Sequence, residues 1–499
     1  MVSMSTIQIK FSATAIVLAT ILLLVNSVTA QEIEANIKIT SPASISVEGK
    51  LTKETQNHSL KNWSFTNSIA GVENLGTRVS GFNLGSEKNH PIAFVKLSES
   101  EYLASDKAAA FQYRVSLNLP KDANGMAHVS WLDDEKGLLM LGDLLPQLPA
   151  KNQAIAARVK LDLPVGWKII SSERNSGENS FEVKNVEKAI FLVGSNWRER
   201  ELVIGKTNLS LAIAGEWQFS DEEALKMTGE IYVEYRKLFG ETPTDKLQIA
   251  LIRYPKEIKF GRWAAETRGA NVTILSAAMP FKTQSVQRLH EQLRHEIFHL
   301  WMPNNLALTG NYDWFYEGFT VYQALRTGVS MNRIRFEDYL DTLAQAYNLD
   351  NLRNRKISLV EASKNRWSGA NDQIYARGML AAFLCDVALL GQSKGRRSIS
   401  QVFQEIYRQH RASNAPEDGN AAILKILKNY MELAPIVEKY IAGAEKINWE
   451  ANLESVGIEA KEENYITKLA VKMKPTGKQK DLLDKLGYNN WRKTWERRK

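Results

Sequence analysis

The sequence is poor in residues that cross-link or bind metals through sulfur, since its 499 residues include one cysteine, Cys385, and seven histidines. A single cysteine excludes a disulfide within the chain and a metal site built from thiolates. Because Cys385 lies in an apolar stretch, we expect a buried thiol and not a nucleophile. Any metal site must therefore use histidine and carboxylate ligands.

Several other signals are missing. The sequence has no internal repeat, no glycine-rich phosphate loop and no serine nucleophile elbow. With 44% hydrophobic and 24% charged residues it is typical of globular proteins, and 499 residues predict two to four domains.

The net charge of +8 is unevenly distributed. Residues 472–499 hold ten Lys or Arg and three Asp or Glu, a net +7, which leaves the rest of the chain almost neutral. This distribution argues against a protein that binds nucleic acid. We expect a solvated, loosely packed basic tail, and contact of this tail with a membrane surface, an acidic polymer or a partner is the alternative.

The N-terminus has the pattern of a secretory signal peptide. Lys10 precedes an apolar run at residues 13–25, and a small-x-small sequence ends at Ala30. The apolar run is shorter than the roughly 20 residues that span a bilayer. We therefore predict cleavage after Ala30 and a secreted or periplasmic protein without a stable membrane span, with an uncleaved anchor as the alternative. The oligomeric state stays open.

The hydrophobic pattern changes along the chain. Residues 31–215 alternate apolar and polar side chains between turn-rich segments, as at residues 33–39, which predicts a β-sandwich-like N-terminal domain. Residues 216–390 mix strands and helices, residues 391–460 predict a helical C-terminal domain, and residues 461–499 form the basic tail. The fold class is therefore multidomain α+β.

Individual elements of the second domain can also be predicted. A capping box at residues 220–223 begins a helix that Gly240 ends. Apolar runs at residues 247–252 and 271–275 predict buried strands, and the helical period at residues 285–301 predicts a second helix.

The strongest local signal lies in this second helix, where residues 295–299 read His-Glu-Ile-Phe-His. Residues four apart share one face of a helix, so His295 and His299 can direct ring nitrogens at one ion about 2.0–2.1 Å away. Glu296 lies beside that face, where it can hold a water, as in the metalloprotease signature. The alternative is an amphipathic helix with buried, hydrogen-bonded histidines. His290 lies off the ligand face, and we expect it at the surface or beside the ligands.

A catalytic zinc ion needs a third protein ligand. Glu317 is the candidate, because it is the single carboxylate in the apolar sequence at residues 314–320, and a buried carboxylate is costly unless it is paired or bound to a metal. A salt-bridged core glutamate is the alternative. The predicted cofactor is one Zn²⁺ ion held by His295, His299 and Glu317.

These motifs resemble the gluzincin metallopeptidases, and within them the glycyl aminopeptidase family and its relative aminopeptidase N. Both families have Trp two residues after the second His, here Trp301, and a Glu-Gly-Phe sequence, here at residues 317–319. Both also have Tyr-x-Lys-Gly, which reads Tyr-Ala-Arg-Gly at residues 375–378. More diffuse similarity to the glycyl aminopeptidase family covers roughly residues 100–460. The resemblance implies a thermolysin-like peptidase domain at residues 216–390.

Three features depart from the family pattern. Seventeen residues separate His299 from Glu317, fewer than in either family, which indicates a shortened loop at residues 303–312. The glycine-rich exopeptidase segment is altered at residues 260–268. The PDZ module that often follows in the glycyl aminopeptidase family is absent, and the basic tail stands in its place.

The remaining roles follow from the chemistry and from the resemblance. Glu296 is the predicted general base, and the resemblance implies that Tyr375 donates a hydrogen bond to the oxyanion of the tetrahedral intermediate. Glu266 is expected to bind the free α-amino group of a peptide or protein substrate, which predicts an aminopeptidase. Pairing of Glu266 with a nearby arginine, such as Arg268, is the alternative. An endopeptidase, an inert peptide-binding relative and a non-peptide hydrolase are the competing functions, and nothing in the sequence favours the last.

Overall fold

The computed structural model of the protein describes residues 32–41, 43–52, 59–149, 154–352, 357–412 and 414–490. The predicted signal peptide, with its cleavage site after Ala30, lies outside the described residues, and so do residues 491–499 of the basic tail.

The N-terminal region is made of β-strands. In chain order they are β1 (Ile33–Ser41), β2 (Ser44–Leu51), β3 (Leu60–Ser64), β4 (Val79–Gly85), β5 (Pro91–Ile92), β6 (Phe94–Lys96), β7 (Glu101–Ala108), β8 (Ala110–Ser116), β9 (Trp131–Leu132), β10 (Lys136–Met140), β11 (Ala157–Asp162), β12 (Lys168–Ile170), β13 (Arg174–Gly177), β14 (Ser180–Val183) and β15 (Ile190–Gly194). Short helical segments at Leu75–Arg78, Asn124–Ala127, Leu141–Leu144 (α1) and Val186–Lys188 connect them.

These strands form three sheets around a shared core. The sheet orders are β13-β14-β11-β1-β2-β8-β4-β5, β12-β15-β10-β9 and β3-β7-β6. The core joins Val47 of the first sheet, Phe191 of the second and Tyr102 of the third. Burial alternates along β8, where Tyr113 is buried and Arg114 is exposed, so the period of two in the sequence does mark strands with one buried face. The predicted β-rich N-terminal region is confirmed.

A five-stranded sheet follows. Its strands are β16 (Arg198–Ile204), β17 (Thr207–Ala214), β18 (Lys246–Arg253), β19 (Trp263–Arg268) and β20 (Asn271–Ser276), in the order β16-β17-β18-β20-β19. The predicted strands at residues 247–252 and 271–275 correspond to β18 and β20, and β19 lies at the edge.

This sheet corrects the predicted boundary at residue 215. Strands β16 and β17 lie before that boundary, but β17 pairs in parallel with β18 of the second domain. The boundary therefore falls before Arg198. An alternating strand pattern gives no sign of which sheet a strand joins, because that depends on a partner far along the chain. The other predicted boundaries stay predictions.

Helices make up most of the remaining chain. They are α2 (Asp221–Phe239), α3 (Lys282–Phe298), α4 (Asp313–Tyr316), α5 (Gly318–Ser330), α6 (Phe336–Asn351), α7 (Leu359–Lys364), α8 (Asn371–Ser393), α9 (Ile399–Gln409), α10 (Gly419–Asn429), α11 (Ala434–Ile436), α12 (Trp449–Leu453) and α13 (Gly477–Leu486). Further short segments are the helical turns Arg366–Ser368, Val437–Ile441 and Glu454–Val456 and the strands β21 (Leu308–Thr309), β22 (Glu417–Asp418), β23 (Ile458–Glu463) and β24 (Ile466–Val471).

The predicted helix signals are confirmed in α2. Ser220 and Glu223 form the expected capping box, and Gly240 ends the helix with a φ of 80°, a conformation that glycine adopts without strain. Helix α3 begins and ends three residues before the predicted limits, at Lys282 and Phe298.

The most apolar helix, α8, is long enough to cross a membrane, but it is mostly buried inside the protein, as is typical of a core helix. It carries Cys385, which is fully buried. The expectation of a buried thiol is confirmed, and burial raises the pKa of that thiol.

The basic tail is not loosely packed as far as Asn490. Strands β23 and β24 form a hairpin, and α13 buries Leu482, Leu483 and Leu486 in the core shared with the preceding helices. The expectation of a loosely packed tail was wrong for these residues. Apolar side chains at helical spacing give α13 a face that is buried in the core, while its charged side chains stay on the solvent side.

Candidate metal centre

Helix α3 carries His295 into the interior, and His299 follows directly after its last residue. Its apolar side chains Leu289, Leu293 and Ile297 are buried in the core, which fixes the rotation of the helix about its axis. His295 and His299 are consequently buried as well, and their Nε2 atoms lie 3.0 Å apart. Two ring nitrogens at this distance can share one cation.

The third predicted ligand comes from the junction of α4 and α5. Glu317 is buried, and its Oε2 lies 3.2 Å from Nε2 of His295 and 3.5 Å from Nε2 of His299. Donor atoms placed tetrahedrally about 2.0–2.1 Å from one zinc ion lie about 3.3 Å apart. The three side chains therefore fit a zinc ion and leave a fourth position open, and the shortened loop at residues 303–312 does not prevent this.

Groups behind the ligands fix their orientation. Nδ1 of His299 lies 2.9 Å from the carbonyl oxygen of Met302, and an N–H donated there leaves the lone pair of Nε2 for a metal. Oε1 of Glu317 accepts a hydrogen bond from Nη2 of Arg366 at 3.1 Å. Burial would raise the pKa of Glu317, but Arg366 and the two histidines outweigh it and hold the pKa well below its ordinary value. Glu317 is therefore a carboxylate, as a metal ligand must be.

Glu296 lies between the ligands and the edge strand β19. Thr267 of β19 donates a hydrogen bond of 2.8 Å to its Oε2, and the other oxygen, Oε1, lies 4.0 Å from Nε2 of His295. One oxygen is thus anchored while the other faces the metal position. Sequence reasoning missed Thr267, which lies in the altered segment at residues 260–268.

A largely buried arginine side chain, that of Arg366, links the third ligand to the predicted oxyanion donor. Besides Glu317, Arg366 donates hydrogen bonds to Oδ1 of Asp313 at 2.8 Å and to the hydroxyl of Tyr375 at 3.1 Å. The hydroxyl of Tyr316 donates to the same Asp313 oxygen at 2.6 Å. Nothing in the sequence signals this network, since Arg366 lies in a short turn far from the zinc motif.

Tyr375 lies in the first turns of α8, beside the metal ligands. Its ring centroid is 6.2 Å from that of His295. Burial, together with the charge of Glu317, raises the pKa of the Tyr375 hydroxyl well above its ordinary value, so the hydroxyl keeps its proton. The protonated hydroxyl thus lies beside the metal ligands, and its role as oxyanion donor stays a prediction.

Two glycines let Glu317 and Tyr375 approach. A Cβ on Gly378 would lie 2.7 Å from the Cα of Gly318, so α5 and α8 cross at backbone contact. Arg377 has a separate role, because it is fully buried and bonds Asp350 and two backbone carbonyls away from the site. The arginine at position 377, where the resembling families have lysine, therefore serves the packing of α8.

Glu266 of β19 is partly buried and already paired. Its Oε1 accepts from Nε of Arg268 at 2.6 Å, and its Oε2 lies 2.5 Å from Nδ1 of His128. Burial would raise the pKa of Glu266, but the charges of Arg268 and His128 lower it to about 2. The predicted arginine pairing is therefore present, and amine binding by Glu266 stays a prediction.

The three metal ligands, Glu296, Glu266, Arg366 and Tyr375 line one cleft of about 1650 Å³. One wall is β19, and the other is formed by α5 and the loop that joins it to α6. His290 also lines the cleft and is buried, so of the two expected positions, at the surface or beside the ligands, the surface one is excluded. The helical period could not show this, because α5 covers a face of α3 that the sequence leaves polar.

Comparison with known proteins identifies the fold. No protein-family description and no curated protein matches the sequence. Among solved structures, the chain is similar to an aminopeptidase N family protein from Idiomarina loihiensis, with a TM-score of 0.71 and 17% identity over 86% of this chain and 79% of that one. It is also similar to an M1 zinc metallopeptidase of Deinococcus radiodurans, with a TM-score of 0.53 and 14% identity over 83% of this chain and 94% of that one.

The chain has the M1 zinc metallopeptidase fold. A two-domain M1 zinc metallopeptidase shares it, with a TM-score of 0.54 and 13% identity over 84% of this chain and 95% of that one. The Deinococcus radiodurans protein is a glutamate-to-alanine mutant bound to a Tyr-Ser-Ala substrate, and the two-domain protein is such a mutant bound to L-arginine. The predicted arrangement, a β-rich N-terminal region followed by a thermolysin-like domain and helices, is confirmed.

Proposed function

We propose that the protein is a zinc-dependent peptidase that removes residues from the N-terminus of peptides. The observation that carries the proposal is the convergence of His295, His299 and Glu317 on one point, with the anchored carboxylate of Glu296 beside it. The shared fold supports it, since the similar solved structures are named as an aminopeptidase N family protein and as M1 zinc metallopeptidases.

The residues around the metal position have separable tasks. A zinc ion held there would polarise a peptide carbonyl and acidify a water molecule. The free oxygen of Glu296 accepts the proton of the attacking water and returns it to the leaving amine. The hydroxyl of Tyr375 donates a hydrogen bond to the oxyanion that forms on the peptide carbon.

The charge and position of Glu266 support the assignment of an aminopeptidase. It is a negative charge on the edge strand β19, close to the metal ligands, and an N-terminal ammonium group would find a partner there. Its two existing partners, Arg268 and His128, favour a second candidate, an endopeptidase that has no need to bind a free amine.

N-terminal acetylation distinguishes the two candidates. An aminopeptidase should cleave a free peptide at least a hundredfold faster than its N-acetylated form. Equal rates for both peptides would establish the endopeptidase and remove the amine-binding role of Glu266.

Metal analysis tests the proposal as a whole. The purified protein should contain one zinc ion per chain, lose turnover of aminoacyl arylamides when treated with a chelator and regain it with zinc. Glu296→Gln should keep the zinc and lose turnover. A protein without stoichiometric metal would instead be the inert peptide-binding relative.

We also propose that the protein acts outside the cytoplasm. The support is the sequence pattern at residues 10–30, and mass spectrometry of the exported protein should find Gln31 as the first residue.

A further inference from the structure

Among the residues that the structure describes, one basic side chain in the cleft, that of Arg294, forms no ion pair. Arg294 is 4% exposed, and among the described residues neither its Nε nor its Nη1 has a hydrogen-bond partner. Glu291, one turn earlier on α3, pairs with Arg288 instead, at 2.8 Å. An unpaired buried charge is unfavourable, whereas the other deeply buried arginine described above, Arg377, has an ion pair and two carbonyl acceptors.

The position of the Arg294 guanidinium is restricted by the backbone around it. It packs against Gly328 of α5, where a Cβ would collide with Nη1. The group therefore lies between α3 and α5, on the wall of the cleft opposite β19.

His290 lies beside Arg294. Its side chain is 2% exposed, and both ring nitrogens lack a hydrogen bond within the part of the chain that the structure describes. Burial, aided by the charges of Arg294 and Arg333, lowers the pKa of His290 to about 3. At neutral pH it is therefore an uncharged imidazole with one N–H to donate. Arg333, at the rim, pairs with Glu230 at 3.3 Å.

Both residues precede the ligand His295 on α3, whereas Glu266 lies in the second half of β19. Trp263, at the start of β19, pairs with Ser276, which precedes α3, so the first half of α3 lies toward the Trp263 end of the strand. A peptide with its amine at Glu266 and its first carbonyl at the metal would continue along this half of the helix. His290 lies five residues before His295, about 7.5 Å along the axis, or about two extended peptide residues.

We propose that Arg294 and His290 bind the α-carboxylate of the peptide substrate, about two residues beyond the cleaved bond. The unpaired guanidinium and the free imidazole N–H are the donors that a carboxylate accepts from. This inference rests on the proposed function and adds a substrate class to it, namely short peptides with a free C-terminus.

Binding to an inactive enzyme tests the site apart from catalysis. Zinc-loaded Glu296→Gln should bind Ala-Ala-Ala at least tenfold more tightly than its C-terminal amide, which is about 1.4 kcal/mol, in isothermal titration calorimetry. Adding Arg294→Met should abolish the difference. Arg335→Met is the matched control, since Arg335 is exposed and pairs with Asp338, and it should keep the difference.

Equal affinity for the acid and the amide, or a preference that survives Arg294→Met, would overturn the proposal. A third peptide, Ala-Ala-Asp amide, carries its carboxylate on a side chain. Tight binding of this peptide would overturn the assignment to the α-carboxylate.

The free protein supplies a readout that a purely structural arginine would not give. Arg294→Met should unfold at the same or a higher temperature than the wild type. The methionine side chain has a similar volume to that of arginine, and the substitution removes an unpaired buried charge. A clear loss of stability would show that Arg294 serves the fold and would count against the site.

The proposed function can fail separately. If the wild type cleaves neither peptide but still prefers the acid, the peptidase proposal is wrong and the carboxylate site stands. If it cleaves both with equal kcat/KM and binds both equally, the peptidase proposal stands and the carboxylate site is wrong.

Discussion

Replacing Tyr375 by phenylalanine should remove most of the turnover and leave the fold and the zinc in place. The hydroxyl is not among the three metal donors, and it accepts a hydrogen bond from Arg366 beside the carboxylate of Glu317. Arg366 keeps Asp313 and Glu317 as acceptors in the variant. Loss of one such bond should lower the free energy of unfolding by only about 0.5–1.5 kcal/mol.

The catalytic loss should be much larger than the loss of stability. A hydrogen bond to an oxyanion is strongest in the transition state, and removing one such donor costs about 10²–10³ in kcat, or about 2.7–4 kcal/mol. Because the bond contributes little to substrate binding, kcat and kcat/KM should fall together while KM changes little.

Tyr316 provides the matched control. It is partly buried beside the same ligands, and its hydroxyl contacts Asp313 at 2.6 Å and Arg366 at 3.4 Å. Tyr316→Phe should lose a similar amount of stability and keep kcat within about threefold. The assay is steady-state hydrolysis of an aminoacyl arylamide, with zinc content and thermal unfolding measured on the same samples. Unchanged kcat in Tyr375→Phe, or an equal loss in Tyr316→Phe, would refute the assigned role.

Three further predictions follow from the structure. The pKa of Glu266 lies at about 2, below its ordinary value of 4.5, so the ion pairs of this carboxylate stabilise the protein above about pH 4.5 and the effect is lost as the pH falls toward 2. Glu266→Gln should therefore lower the free energy of unfolding by about 3 kcal/mol at pH 6, and the difference from the wild type should shrink to near zero at pH 2. Gly378→Ala should lower the free energy of unfolding by about 1–3 kcal/mol and reduce kcat, because the new Cβ would push α8 away from α5. Removal of zinc should lower the unfolding temperature, since an ion at 1,000 times its Kd adds about 4.1 kcal/mol to the native state.

Each of these predictions has its own control. A difference between wild type and Glu266→Gln that does not depend on pH would show that the charge of Glu266 contributes nothing. Gly477→Ala, at a glycine with open space around it, should be almost neutral, and an equal effect at both glycines would contradict the packing argument. A melting temperature that is indifferent to zinc would mean that the ion does not bind the folded site.

The local parts of the site could be read from the sequence. His295, Glu296 and His299 lie within five residues, and the helix geometry that brings them together depends only on residues nearby. The helix starting after Ser220 and the strands β18 and β20 were predicted for the same reason, because capping residues and continuous apolar runs act within a few positions.

The partners of these residues could not be predicted. Arg366, Asp313, Thr267 and His128 reach the site from different elements, and no spacing or composition marks them. The buried position of His290 and the unpaired charge of Arg294 depend on α5 covering one face of α3. The pairing of β16 and β17 with the second sheet is equally non-local.

The sequence by itself determined the zinc-binding helix, the identity of the three ligands and the order of strand-rich and helical regions, because periodicity and spacing act along the chain. The tertiary structure alone decided which charges are paired. Glu266 and Glu317 have arginine partners, while Arg294 has none among the described residues. The energy of a buried charge depends on every group that packs around it, and those groups are brought together only by folding.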